Sequence, residues 1–110
     1  MSEPIRKAFL LRLKPDALEK YIYWHNNLWP DLKQEIATQG IIEISLYQVD
    51  DMVMLFSTVR DEESWARLWD SEVHRRWAEV MSPLMHYRQD GVVDSRALRE
   101  IWHHVPGVKD

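Results

Sequence analysis

Residues 41 to 59 read Ile41-Ile42-Glu43-Ile44-Ser45-Leu46-Tyr47-Gln48-Val49-Asp50-Asp51-Met52-Val53-Met54-Leu55-Phe56-Ser57-Thr58-Val59, and this stretch decides the fold. Ile42, Ile44 and Leu46 alternate with Glu43, Ser45 and Tyr47, the period-two pattern of a strand with one apolar and one more polar face. Residues 52 to 59 are nearly apolar throughout and form a second strand. The short Asp50-Asp51 connection joins the two as an antiparallel hairpin. Gly40, just upstream, is well placed to cap the C-terminus of a preceding helix.

Upstream of the hairpin, residues 5 to 13 are apolar and partly alternating, and they stop at Lys14-Pro15, which predicts a strand. Ala17, Leu18, Tyr21, Ile22, His25 and Leu28 then recur at helical spacing. Pro30 lacks a backbone donor and pushes Trp29 out of helical geometry, so one helix is expected over about residues 15 to 26 and another over 30 to 39. Downstream, Asp61-Glu62-Glu63-Ser64 opens a helical stretch whose Trp65, Leu68 and Trp69 share a face. Ser71 caps a further helix with Val73, Trp77, Val80 and Met81 inward, which Ser82-Pro83 ends. A loop through Tyr87, Asp90 and Gly91 leads to a last strand near residues 96 to 104.

The order is βαββαβ, which predicts an α+β, ferredoxin-like sandwich with both helical regions on one sheet face. The 110 residues make a single domain with no internal repeat or linker, and nothing is left to cover the other sheet face. A second copy packed sheet against sheet is the natural cover, so a homodimer is expected.

Composition narrows the chemistry. The chain has no Cys, which excludes disulfides, thiolate nucleophiles and Cys-ligated metal centres. Acids outnumber bases for a formal net charge of -4, with both signs interspersed, so no basic stripe is available for nucleic acid. No apolar run of about 18 residues could span a bilayer, and the N-terminal residues lack the basic and apolar regions of a signal peptide. The expectation is a cytoplasmic protein without nucleic-acid or membrane partners.

Tyr21 and His25 lie four residues apart, on one helix face beside the break at Trp29-Pro30. Histidine both donates and accepts protons near neutral pH, and a helix end leaves backbone groups to orient it, so His25 is a candidate acid/base. A surface or interface histidine that caps the helix fits the same spacing, and Tyr21 fits a core position with a hydrogen-bonded hydroxyl. His103-His104 would point to opposite faces of a strand and cannot readily share an ion, so no metal site is expected. His74, in a charged helix, and His86, in a polar loop, read as solvated. Arg75-Arg76 reads as an ordinary charged helix face beside Glu72 and Glu79. Six tryptophans offer aromatic faces for the C–H faces of a sugar ring, although most are expected in the core.

Ile5-Arg6-Lys7-Ala8-Phe9, Tyr21 followed by His25-Asn26, Trp29-Pro30-Asp31-Leu32, Gly40, Arg76-Trp77 with Met81, and the segment from Val92 to Trp102 together resemble the L-rhamnose mutarotase family. The resemblance runs over nearly the whole chain. It implies a single mutarotase domain over residues 1–110, assembled as a dimeric α+β barrel. That barrel would interconvert the α and β anomers of a 6-deoxy-L-hexose without cofactor or metal. It further implies His25 as the catalytic residue and Tyr21 as a sugar contact; Trp77 is expected to pack on the sugar, and Trp29 is a weaker candidate for substrate binding. The sequence departs from the family at Ile44, where a sugar-contacting tyrosine is expected, and at Ala78, the second position of a Trp-Trp pair. Both departures fall in the expected sugar-reading surface, which leaves L-rhamnose as the family default and L-fucose as a close competitor. Two other classes fit the fold: a small-molecule oxygenase of the dimeric α+β barrel type, and a non-catalytic metabolite-binding module.

Overall fold

A computed structural model describes residues 4–86 and 95–107 of the chain. The loop expected through Tyr87, Asp90 and Gly91, and the start of the segment from Val92, lie outside the described residues. β1 (Ile5–Arg12) occupies the middle of a four-stranded antiparallel sheet. It pairs with β3 (Met52–Val59) on one side and β4 (Ser95–Leu98) on the other, and β2 (Ile41–Val49) flanks β3. Between β1 and β2 run α1 (Leu18–Asn26) and α2 (Pro30–Thr38); between β3 and β4 run α3 (Ser64–Asp70) and α4 (Glu72–Met81), followed by a 3-10 turn at Ser82–Leu84. The sheet order β2-β3-β1-β4 is that of the ferredoxin-like fold.

Local chemistry sets the breaks. Trp29 is extended (φ -63°, ψ 136°) and Pro30 is the first residue of α2, where its missing N–H costs nothing. α1 starts at Leu18, three residues later than residue 15, because Asp16 adopts φ 63° and cannot belong to a right-handed helix. Ser71 accepts the His74 backbone N–H at 3.3 Å and so caps α4 as its side chain predicts. Gly40 follows α2 with φ 96°, the left-handed geometry in which glycine ends a helix.

The hairpin contains a bulge that the alternating pattern hides. Ile41 pairs with Val59, whereas Glu43 pairs with Thr58, so Ile42 is an extra residue. Consequently Ile41 is buried and Ile42 is exposed, in place of the expected Ile42, Ile44 and Leu46 face. After the bulge, Ile44 lies opposite Ser57 and Leu46 opposite Leu55, on the helix-covered side.

That side carries the core. Phe9 meets the Trp65 ring edge-on at 5.8 Å and that of Trp69 at 5.4 Å, while the Trp65 indole N–H donates to Ser57 Oγ at 2.9 Å. The Ser57 hydroxyl in turn donates to the Lys7 carbonyl at 2.8 Å, so each donor in this buried chain has an acceptor. On the opposite face Tyr47 and Phe56 pair edge-to-face at 5.5 Å and remain exposed, together with Val49 and Leu98.

The last strand is shorter than the 96 to 104 expected. β4 pairs only with residues Ala8 to Leu11 of β1. Beyond Leu98 the chain leaves the ladder and is held by a bidentate contact of Arg6 with Glu100. Ile101 and Trp102 are 82% and 79% exposed there, outside the strand expected to include them. No helix of the described residues is long and apolar enough to cross a membrane.

Candidate active site

A cavity of about 660 Å³ opens between the helix-facing side of the sheet and the inner sides of the four helices. Tyr21, His25, Ile44, Trp77 and Ala78 all lie on its wall. They come from three elements: α1 supplies Tyr21 and His25, the bulged β2 aims Ile44 inward, and α4 presents Trp77 and Ala78. Trp29 does not line the cavity. It stands behind Trp77, with the two rings nearly perpendicular (88°) and 5.3 Å apart, so it braces the wall without forming it.

His25 is fixed from three directions. Its Nδ1 lies 2.7 Å from the backbone carbonyl of Tyr21, one helical turn earlier. A carbonyl oxygen only accepts, so Nδ1 carries a proton and, in the neutral ring, Nε2 is the basic nitrogen. The Tyr21 ring lies against the imidazole at 4.3 Å with a 36° tilt, and Trp77 meets it at 5.3 Å and 89°. Burial lowers the His25 pKa below the usual histidine value, with the bond to the Tyr21 carbonyl acting in the opposite direction. The imidazole is therefore neutral near pH 7. Burial pushes the Tyr21 phenol up to about 12, so its hydroxyl keeps its proton and serves as a donor.

Trp77 organises the wall. It is buried, and the rings of His25, Trp29 and, at 6.5 Å, Trp24 all approach it perpendicularly. Such edge-to-face contacts set the indole's orientation beyond what area burial alone would do. The cavity lining is mostly aliphatic and aromatic, interrupted by few polar groups, which is the usual build of a small-molecule site.

One wall residue contradicts its sequence reading. His74, expected to be solvated, is half-buried and lines the cavity. The helical spacing carried the signal, since 74, 77, 78 and 81 fall on one face of α4. The surrounding charges at Glu72, Arg75 and Arg76 belong to its other side, where Arg75 pairs with Asp70 at 2.5 Å and Arg76 with Asp31 at 3.3 Å. His103 and His104 are exposed and outside any strand, with His103 Nδ1 at 3.7 Å from Glu100. Among the described residues no group of three or more His, Cys, Asp or Glu is placed to hold a metal ion.

A sequence profile of the L-rhamnose mutarotase family matches residues 6–104. L-rhamnose mutarotases from Klebsiella pneumoniae subsp. pneumoniae and Escherichia coli O157:H7 are each 33% identical to the chain over 101 residues, covering 90% of it and 97% of the relative. The crystal structure of an L-rhamnose mutarotase from Formosa agariphila superposes with a TM-score of 0.76 at 26% identity, covering 94% of this chain and all of the other. A dimeric ferredoxin-like protein from an uncultured marine organism shares the fold, with a TM-score of 0.61 at 10% identity over 94% of this chain and 95% of its own. The match over nearly the whole sequence, together with the ferredoxin-like order of the sheet, establishes that this chain belongs to the L-rhamnose mutarotase family and is an isomerase.

Proposed function

We propose that this chain interconverts the α and β anomers of a 6-deoxy-L-hexose, L-rhamnose or L-fucose, with His25 as the acid/base. Mutarotation opens a cyclic hemiacetal. A base removes the proton from the anomeric hydroxyl O1, the C1–O5 bond breaks as C1=O forms, and O5 takes up a proton. After rotation of the aldehyde the same steps run backwards. The observation that carries the reading is the pinned imidazole: with Nδ1 on the Tyr21 carbonyl, the neutral ring has its basic Nε2 left for the substrate.

The other wall residues take supporting roles. The Tyr21 hydroxyl, protonated at all working pH values, donates to a sugar oxygen, and the Trp77 indole packs on the ring's C–H face. Ile44 and Ala78 shape the space that a 6-deoxy sugar's methyl and hydroxyls occupy. Trp29 acts through Trp77. The reaction is measurable in water unaided, so positioning and modest proton transfer suffice, and neither redox nor Lewis-acid chemistry is required of the site.

The working unit is a homodimer of this single domain. Tyr47, Val49, Phe56 and Leu98 expose an apolar patch on the sheet face opposite the helices, and a second copy would cover it. Sedimentation at micromolar concentration would show a dimer, and a stable monomer would remove this part of the reading.

A panel of free sugars examined by exchange NMR tests the function. Accelerated anomer exchange of L-rhamnose or L-fucose is expected. An oxygenase would instead consume oxygen, and a binding module would perturb sugar resonances without exchange. Either result would replace the mutarotase reading.

A further inference from the structure

Ring opening needs two proton carriers, one at O1 and one at O5, and His25 is only one of them. The wall of the cavity is selective about what else could serve. β1, β2, β3, α2 and α3 present only apolar side chains to it, and β4 presents Ser95. The titratable groups on the described wall are Tyr21 and His25 from α1 and His74 from α4. Tyr21 holds its proton too tightly to cycle it near neutral pH. His74 remains, and an imidazole both gives and takes protons in that range.

Its surroundings fit the task. Burial lowers the pKa of the His74 ring, which lies on the cavity wall. It sits one turn before Trp77 on the same helix face, about 5–6 Å away between Cβ atoms by helical spacing. Trp77 in turn touches His25. The two imidazoles therefore line one cavity from different elements, His25 against Trp77 and His74 one turn before it on α4. Helical side chains lean toward the N-terminus, so a large residue at position 78 would lie over position 74. Ala78 has only a methyl group and leaves the His74 ring open to the cavity.

We propose that His74 is the second proton carrier of the ring opening, across the sugar from His25, an inference that rests on the mutarotase reading above. Neutral His25 takes the O1 proton through Nε2 while protonated His74 delivers a proton to O5; C1–O5 breaks and C1=O forms. After rotation about C1–C2, His74 recovers the O5 proton and His25 returns one to O1, so the pair holds one proton before and after turnover. The active state has one proton on two imidazoles that burial makes weakly basic, and so the rate peaks on the acid side of neutrality.

The test is His74→Gln against the unaltered protein, with L-rhamnose and L-fucose anomer exchange measured over about pH 4.5 to 8. The parent should give a bell-shaped profile. H74Q should lose roughly 10²-fold in kcat with a much smaller change in KM, and should lose the alkaline fall of the profile. His74→Ala should recover exchange on addition of free imidazole. Unchanged kcat in H74Q overturns the proposal and leaves the mutarotase reading standing. A slower variant that keeps the parental pH profile and ignores imidazole shows a packing role and also overturns it. Failure of the parent to speed exchange of either sugar removes the mutarotase reading itself and this inference with it. Should the variants not fold, the His74 ring resonance in the parent decides: its titration should move when saturating sugar is added, and an unmoved titration contradicts the proposal.

Discussion

His25 donates its Nδ1 proton to the carbonyl oxygen of Tyr21 at 2.7 Å, within a single turn of α1. The contact fixes the tautomer of the ring, and the four-residue spacing along α1 brings its two partners within reach. Nitrogen-resolved NMR of labelled protein at neutral pH should find Nδ1 protonated and Nε2 bare at this histidine. The opposite tautomer would remove the basic nitrogen assigned to the substrate.

Burial lowers the pKa of both His25 and His74, so the unfolded chain binds protons at these two sites more readily than the folded chain. Stability is then full above the unfolded histidine value and declines as the pH falls below about 6.5 toward the folded values. Carboxyls whose pKa is lowered by guanidinium partners, Asp51 by Arg12 and Asp61 by Arg67, extend the decline into the carboxylate range. Thermal melts taken across this range should show the first loss of Tm near pH 6, reduced in His25→Gln. A melting temperature that is flat from neutral pH down to the carboxylate range would contradict the burial of these rings.

Ile44 faces the cavity where a side chain with a hydroxyl could read a sugar oxygen. Ile44→Tyr adds one such group, and one neutral hydrogen bond is worth about 1 kcal/mol. The ratio of exchange rates, L-rhamnose over L-fucose, should therefore rise by several-fold to about tenfold. An unchanged ratio would mean that other residues set the preference and that the departure at Ile44 carries no specificity.

The helix breaks, the hairpin and the caps were legible because each rests on one residue's covalent nature: Pro30, Gly40, the Asp50-Asp51 turn and Ser71. The pairing of Tyr21 with His25 was legible for the same reason, as helical spacing is local. The bulge at Ile42 was hidden because two isoleucines in succession satisfy either strand phase, and only pairing with β3 decides between them. His74 was hidden by its charged neighbours in sequence, which occupy the other side of α4. The end of the last strand is not legible in residues 99 to 104 because the pairing with β1, which stops at Leu98, joins segments far apart in sequence. The perpendicular packing of Trp29 on Trp77 is likewise not legible, since it joins residues from separate helical regions.

Two substitutions probe the packing that holds the cavity open. Ser57→Ala strands the buried Trp65 indole N–H, which donates to Ser57 Oγ at 2.9 Å, and should cost about 1–3 kcal/mol in denaturant unfolding. Gly40→Ala puts a Cβ 2.9 Å from Ser64 Oγ at a residue with φ 96°, and should cost more than about 1 kcal/mol. Near-neutral effects at either position would show that the sheet and α3 are less tightly joined than these contacts require.

Saturation-transfer NMR on L-rhamnose and L-fucose, comparing the parent with His25→Ala at equal folded concentration, tests the central claim most directly. The parent should speed exchange of at least one sugar, and the variant, folded by circular dichroism, should lose roughly 10²–10⁴-fold of that acceleration. A folded variant that exchanges either sugar as fast as the parent would contradict the assignment of His25 as the acid/base.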